Sequence, residues 1–79
     1  MPLIIAPLNV DLVINKVSLD DKTKKHLANL GLIKNSIIRI ISNECGSLIC
    51  QIKEGRIALD STIASRILVF WKEKVWKLN

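Results

Sequence analysis

Lys25-His26-Leu27-Ala28-Asn29-Leu30-Gly31-Leu32-Ile33 is the stretch where this chain turns from a helix into a sheet, and the other segments are placed from it. Leu27 and Leu30 are three apart and share one helical face. Gly31 can take the positive φ that ends a helix. With Gly31 just past the C-cap, Leu32 falls where a Schellman ending packs it back on Leu27, and Ile33 is aimed into the next strand.

Working upstream, Ser18 followed three residues later by Asp21 resembles a capping box with Asp in place of Glu, and Asp20 is a competing cap. Either choice starts the helix near residues 19–21. Asp20 and Asp21 suit its positive end, while Lys24, Lys25 and His26 move toward its negative end. Leu19, Thr23, Leu27 and Leu30 predict a narrow inward stripe, with the helix ending at Leu30. Before it, Leu12, Val13, Ile14 and Val17 within Val10 to Val17 predict a partly buried strand whose alternation is imperfect. Met1 to Pro7 carries both prolines of the chain, which cannot donate to a sheet ladder, so it reads as an arm or irregular edge segment over the core.

Downstream, Ser36-Ile37-Ile38-Arg39-Ile40-Ile41-Ser42 holds four isoleucines between Asn35 and Asn43 and is the clearest strand. Asn43-Glu44-Cys45-Gly46 predicts a turn. Leu48, Cys50 and Ile52 then alternate with Ile49, Gln51 and Lys53, which makes a hairpin. Glu54-Gly55 predicts a second two-residue turn, with Gly55 at positive φ, leading into Arg56-Ile57-Ala58-Leu59. Asp60-Ser61-Thr62 offers an N-cap for a short helix faced by Ile63, Ala64 and Ile67, and Ile67 to Trp71 reads as a closing strand. The order predicts a mostly β domain with one or two short helices: a small five-stranded SH3-like barrel with a helix inserted between its first two strands. Sequence alone equally permits an open α+β sheet.

The 79 residues fit one domain, with residues 1–9 as an N-terminal arm and 71–79 as a C-terminal extension. No apolar run approaches the roughly 18–20 residues of a membrane span, and Met1 to Ile5 lacks a basic leader and a cleavage site. A cytoplasmic location is expected. The net charge of +5 is spread along the chain, with Lys22, Lys24 and Lys25 as one small cluster that reads as a solvated helix face. Cys45 and Cys50 lack the partners of a disulfide framework or zinc site; Cys50 is expected buried and Cys45 in a turn.

The parts of an enzyme do not assemble. The chain has one histidine, His26, expected to face solvent, no glycine-rich phosphate loop, and no serine or cysteine motif with an identifiable base. His26, Cys45 and Cys50 fall in a helix, a turn and a strand, so no metal or other cofactor is expected. RNA-binding barrels display aromatics on a basic sheet face, whereas this chain has no tyrosine, one phenylalanine, Phe70, and tryptophans only near its end.

Leu27-Ala28-Asn29-Leu30-Gly31-Leu32, the strands after it, Arg56-Ile57-Ala58-Leu59 and Ile63-Ala64-Ser65-Arg66-Ile67-Leu68-Val69 together resemble the FeoA (ferrous iron transport protein A) family over roughly residues 1–70. The family's usual glycine after Leu-Gly-Leu is Asn35 here, which tolerates positive φ. Its proline-and-glycine hairpin is replaced by Asn43-Glu44-Cys45-Gly46. The resemblance implies an SH3-like barrel without catalytic activity, acting as the small cytoplasmic partner of FeoB, the membrane Fe²⁺ transporter with a cytosolic GTP-hydrolysing domain. It would lie at the inner face of the plasma membrane only through that transporter. Within it, Lys25, Leu27, Asn29 and Leu30 are the expected partner contacts, and Gly31, Asn35 and Gly55 the structural positions. The same domain type ends DtxR-like metal-dependent repressors, so the alternative is a stand-alone regulatory or nucleic-acid-binding module, although no nucleic acid is expected as a partner. In the tail, Trp71, Val75 and Leu78 share helical spacing among Lys72, Lys74 and Lys77, which suits packing on the barrel or self-association with a neighbouring copy, with an anionic membrane as the competing surface.

Overall fold

A computed structural model describes residues 1–72, and the sequence features of the tail beyond Lys72 lie outside them. Strand β1 (Asp11–Val17) is followed by helix α1 (Asp21–Asn29), strands β2 (Ile37–Glu44), β3 (Ser47–Ile52) and β4 (Gly55–Asp60), a single-turn helix α2 (Ser61–Ala64) and strand β5 (Ile67–Trp71). All pairings are antiparallel, and the five strands run in the order β4-β3-β2-β1-β5. In a flat sheet β4 and β5 would lie about 19 Å apart. They are joined by α2, whose single turn rises only about 6 Å. The sheet therefore curls on itself, as the strand count predicts.

Two bulges make the curl possible, because an extra residue bends a strand and increases its twist. In β1 the register with β5 shifts between Ile14 and Lys16, and in β2 the register with β3 shifts between Ile40 and Ser42. The first bulge explains the imperfect alternation of β1: Leu12 and Ile14 point inward, Asn15 is the extra residue, and Val17 points inward again. Inside the curl, Leu12, Ile14, Ile38, Ile40, Leu48, Cys50, Leu59, Ile67 and Val69 form the core. The N-terminal arm contributes Leu3 from a 3-10 turn (Leu3–Ile5) and pairs its backbone with β5, Val69 N donating to Met1 O at 2.7 Å.

Of the competing caps for α1, Asp20 is the one used: its carboxylate accepts from Thr23 N at 3.2 Å. The inward stripe is narrower than its spacing suggests. Leu27 is buried, Leu19 and Thr23 are half-buried, and Leu30 faces outward, because the helix ends at Asn29 and Leu30 is its C-cap. Both turns are also shorter or shifted. Cys45 (φ 51°) and Gly46 (φ 77°) alone join β2 to β3, since Glu44 already pairs with Ser47. The β3–β4 turn is Lys53-Glu54 rather than Glu54-Gly55, because Gly55 (φ 138°) opens β4 opposite Ile52. Helix α2 is capped by Asp60, whose Oδ1 accepts from Ile63 N at 2.9 Å. Asp60→Ala is expected to cost about 1 kcal/mol in urea unfolding, the ordinary value of a lost N-cap.

The Asp20 cap also gives a pH dependence. Hydrogen bonding from the Thr23 side chain, and then from its backbone N–H, holds the Asp20 carboxyl below its ordinary value of 3.8. A depressed folded-state pKa stabilises above the unfolded value and loses that contribution as pH falls through the folded one. The urea midpoints of the wild type and Asp20→Asn are therefore expected to differ more at neutral pH than at pH 3. An equal difference at both would show that the ionised cap contributes nothing.

Candidate functional site

The C-terminal end of α1 is built by local backbone chemistry. Leu32 N donates to Leu27 O at 2.9 Å and Gly31 N to Ala28 O at 3.0 Å, the two bonds of a Schellman motif. Gly31 takes φ 100° at the position past the cap, and Leu32 packs beside Leu27 in the core. The chain then makes a turn from Ile33 to Ser36, closed by Ser36 N donating to Ile33 O at 3.0 Å. Asn35 sits third in that turn at φ 76°, a conformation asparagine tolerates, and its N–H donates to Ile14 O at 2.7 Å, which ties the loop to β1.

Of the expected partner contacts, Lys25, Asn29 and Leu30 are exposed, Leu30 to 38%, while Leu27 at 3% is a core residue. Lys25, Asn29 and Leu30 are therefore surface residues of the helix end, with Leu27 packed in the core. Leu30 borders a shallow depression with Ile52, Glu54, Gly55, Arg56 and Ile57 from the β3–β4 hairpin. Here Glu54 reaches across to Gly31, and its carboxyl carbon lies 3.2 Å from where a Cβ on that glycine would stand. Glu54, distant in sequence, thus meets the end of α1 at Gly31. Nothing in the local pattern marks Glu54, Arg56 or Ile57 as neighbours of α1, because the contact depends on how the sheet curls.

On the outer face of the sheet, Asp11, Arg39, Gln51 and Arg56 stand in register across β1 to β4. Arg39 Nη2 lies 2.8 Å from Asp11 Oδ1, and Arg56 Nε donates to Gln51 Oε1 at 3.1 Å. These are exposed contacts, so the ion pair contributes at most about 1 kcal/mol. His26 is exposed on α1. Among the described residues no three His, Cys, Asp or Glu side chains gather closely enough to hold a metal ion.

The cysteines sit as their positions suggest, Cys45 exposed in its turn and Cys50 buried in β3. Burial pushes the Cys50 thiol up to about 11. Iodoacetamide on the folded protein at pH 8 is therefore expected to alkylate Cys45 and spare Cys50, as read by peptide mass spectrometry. Equal labelling of both would contradict the buried position of Cys50.

Among the described residues no helix is long and apolar enough to cross a membrane. No curated protein matches the chain. The solution structure of a FeoA protein from Chlorobium tepidum is similar with a TM-score of 0.85 and 13% identity, covering 92% of this chain and 71% of that one. A crystal structure of an iron uptake regulatory protein (FeoA) is similar at 0.78 and 20%, covering 89% of this chain and 95% of the other. The zinc-bound structure of ScaR is similar at 0.80 and 20% over 90% of this chain but only 36% of ScaR. These likenesses show the fold, a mostly β, SH3-like unit with two helices that occurs both alone and inside a larger protein. The family model for the FeoA domain matches residues 1–70, and the chain belongs to the FeoA family.

Proposed function

We propose that this protein is a non-enzymatic cytoplasmic accessory of ferrous iron uptake that docks on the cytosolic GTPase domain of an FeoB-type transporter and modulates it. The observation that carries this reading is the FeoA family match, which runs from the N-terminal arm through β5. The exposed Lys25, Asn29 and Leu30 at the end of α1 supply a contact surface of mixed character, a cation, an amide and an aliphatic side chain on one rigid, capped helix end. Such a surface suits protein recognition, which needs complementary shape rather than an acid–base pair. The test is a pull-down of the cognate transporter's cytosolic domain together with iron uptake in a strain lacking this chain. Absence of binding with unchanged uptake would end the proposal.

The similarity of the fold to part of a manganese-dependent transcriptional repressor supports a second reading, a regulatory or nucleic-acid-binding module. The outer-face arginines Arg39 and Arg56 are its natural phosphate contacts, yet Arg39 is already engaged by Asp11. DNA affinity of this kind would fall steeply with added salt. A gel shift that shows no complex at low salt would dismiss it.

A further inference from the structure

Between α1 and β1 lies a cleft of about 420 Å³ whose lining residues are Asn15, Lys16, Val17, Lys24, Ala28, Leu32, Ile33 and Lys34. Its floor is aliphatic: Val17 and Leu32 belong to the core, and Ala28 and Ile33 are exposed above them, Ile33 to 51%. Its charged groups are all cationic. Lys16 comes from β1 just after the bulge, Lys24 from α1 one turn before Ala28, and Lys34 from the turn after Gly31. Among the described residues no carboxylate lines the cleft. The carboxylate of Asp20, at the start of α1, is engaged by Thr23 N, and among the described residues the ion pair is Arg39–Asp11 on the sheet's outer face. Among the described residues, the three lysines thus surround exposed apolar surface with no carboxylate in the lining.

We infer that this cleft is a docking site for an acidic, aliphatic segment of a partner protein, with side chains such as leucine on the floor and flanking carboxylates at Lys16, Lys24 and Lys34. Charge complementarity selects the occupant, since juxtaposed like charges exclude a basic segment. The volume falls in the range of about 300–1,000 Å³ typical of small concave sites, which admits side chains but no larger element. A flat bilayer would touch the lysines at the rim and leave the concave floor unfilled. Among the described residues the lining offers a nucleic acid neither an aromatic ring nor an arginine on which to stack a base. The site goes beyond the transporter reading and does not depend on it. It lies on the Lys24–Ala28 side of α1, whereas the transporter contact was placed on Lys25, Asn29 and Leu30, and it would serve any partner of this chemistry.

The test titrates the ¹⁵N-labelled full chain with the peptide acetyl-DELLED-amide and follows amide shifts by NMR. Shifts are expected to cluster at residues 15–17, 24, 28 and 32–34. Binding should weaken about tenfold or more in Lys16→Glu/Lys34→Glu and stay unchanged in Lys22→Glu, which lies on α1 outside the cleft lining. Because Lys16, Lys34 and Lys22 are all exposed, these reversals leave the core intact, as a native amide spectrum would verify. A peptide with serines replacing its leucines, DESSED, should bind at least about tenfold more weakly, because the floor is then unmatched. The inference is overturned if millimolar DELLED shifts no cleft residue, if DESSED binds equally well, or if the double reversal leaves affinity unchanged. It is likewise overturned if phosphatidylglycerol vesicles, but not the peptide, perturb the same amides.

Discussion

Leu27→Ala is expected to lower unfolding stability by about 3 kcal/mol, whereas Leu30→Ala is expected to change it by less than about 0.5 kcal/mol. The two leucines are three apart on one helix, and helical spacing alone treats them alike. What separates them is that Leu27 is the C3 residue of a Schellman ending, packed with Leu32 inside the core, and Leu30 is the cap that turns outward. A domain of 79 residues has on the order of 4–12 kcal/mol in total. Losing about 3 kcal/mol is therefore visible in a single urea titration. The contrast bears on function as well. Loss of transporter binding in Leu30→Ala at unchanged stability would place a direct contact there, while the same loss in Leu27→Ala would report only the weakened helix end. Equal destabilisation by both substitutions would mean that Leu30 is packed, contrary to its exposure.

The second large effect is at Gly31. Gly31→Ala is expected to cost about 2 kcal/mol, because φ 100° is strained for any residue with a Cβ. A further cost arises because the new methyl group meets the Glu54 carboxylate. The two causes separate in a double-mutant cycle. Glu54→Ala should relieve the contact and recover part of the loss, leaving the backbone term, which no side-chain change can remove. If Gly31→Ala is neutral, or if Glu54→Ala restores full stability, the conformational argument fails. Glu54 is a flexible, exposed side chain, so the backbone term is expected to be the larger share.

Much of the architecture was legible because it is local. Gly31, the caps at Asp20 and Asp60, the isoleucine-rich β2, the alternation of β3 and the closing β5 each follow from residues within a turn or strand of one another. The departures have two causes. Leu30 turns outward because α1 ends at Asn29 and makes it the C-cap, whereas Lys53-Glu54 rather than Glu54-Gly55 forming the second turn, and Cys45-Gly46 sufficing for the first, depend on where the register between strands falls, which a one-residue change reverses.

The candidate surfaces divide in the same way. Lys25, Asn29 and Leu30 lie within two helical turns, so their neighbourhood can be read from their spacing. The approach of Glu54 to Gly31, and the gathering of Lys16, Lys24 and Lys34 around one aliphatic floor, join residues from separate elements. The sequence by itself determined the helix stop and the succession of strands and helices along the chain, since each rests on backbone preference and side-chain type. Only the tertiary structure decided which leucine is core and which is surface, and where positive charge collects. The first follows from α1 ending at Asn29 with Leu30 as its C-cap, and the second from the bulges at Asn15 and Ile41 and the short α2 connection, which curl the sheet and set elements distant in the chain side by side.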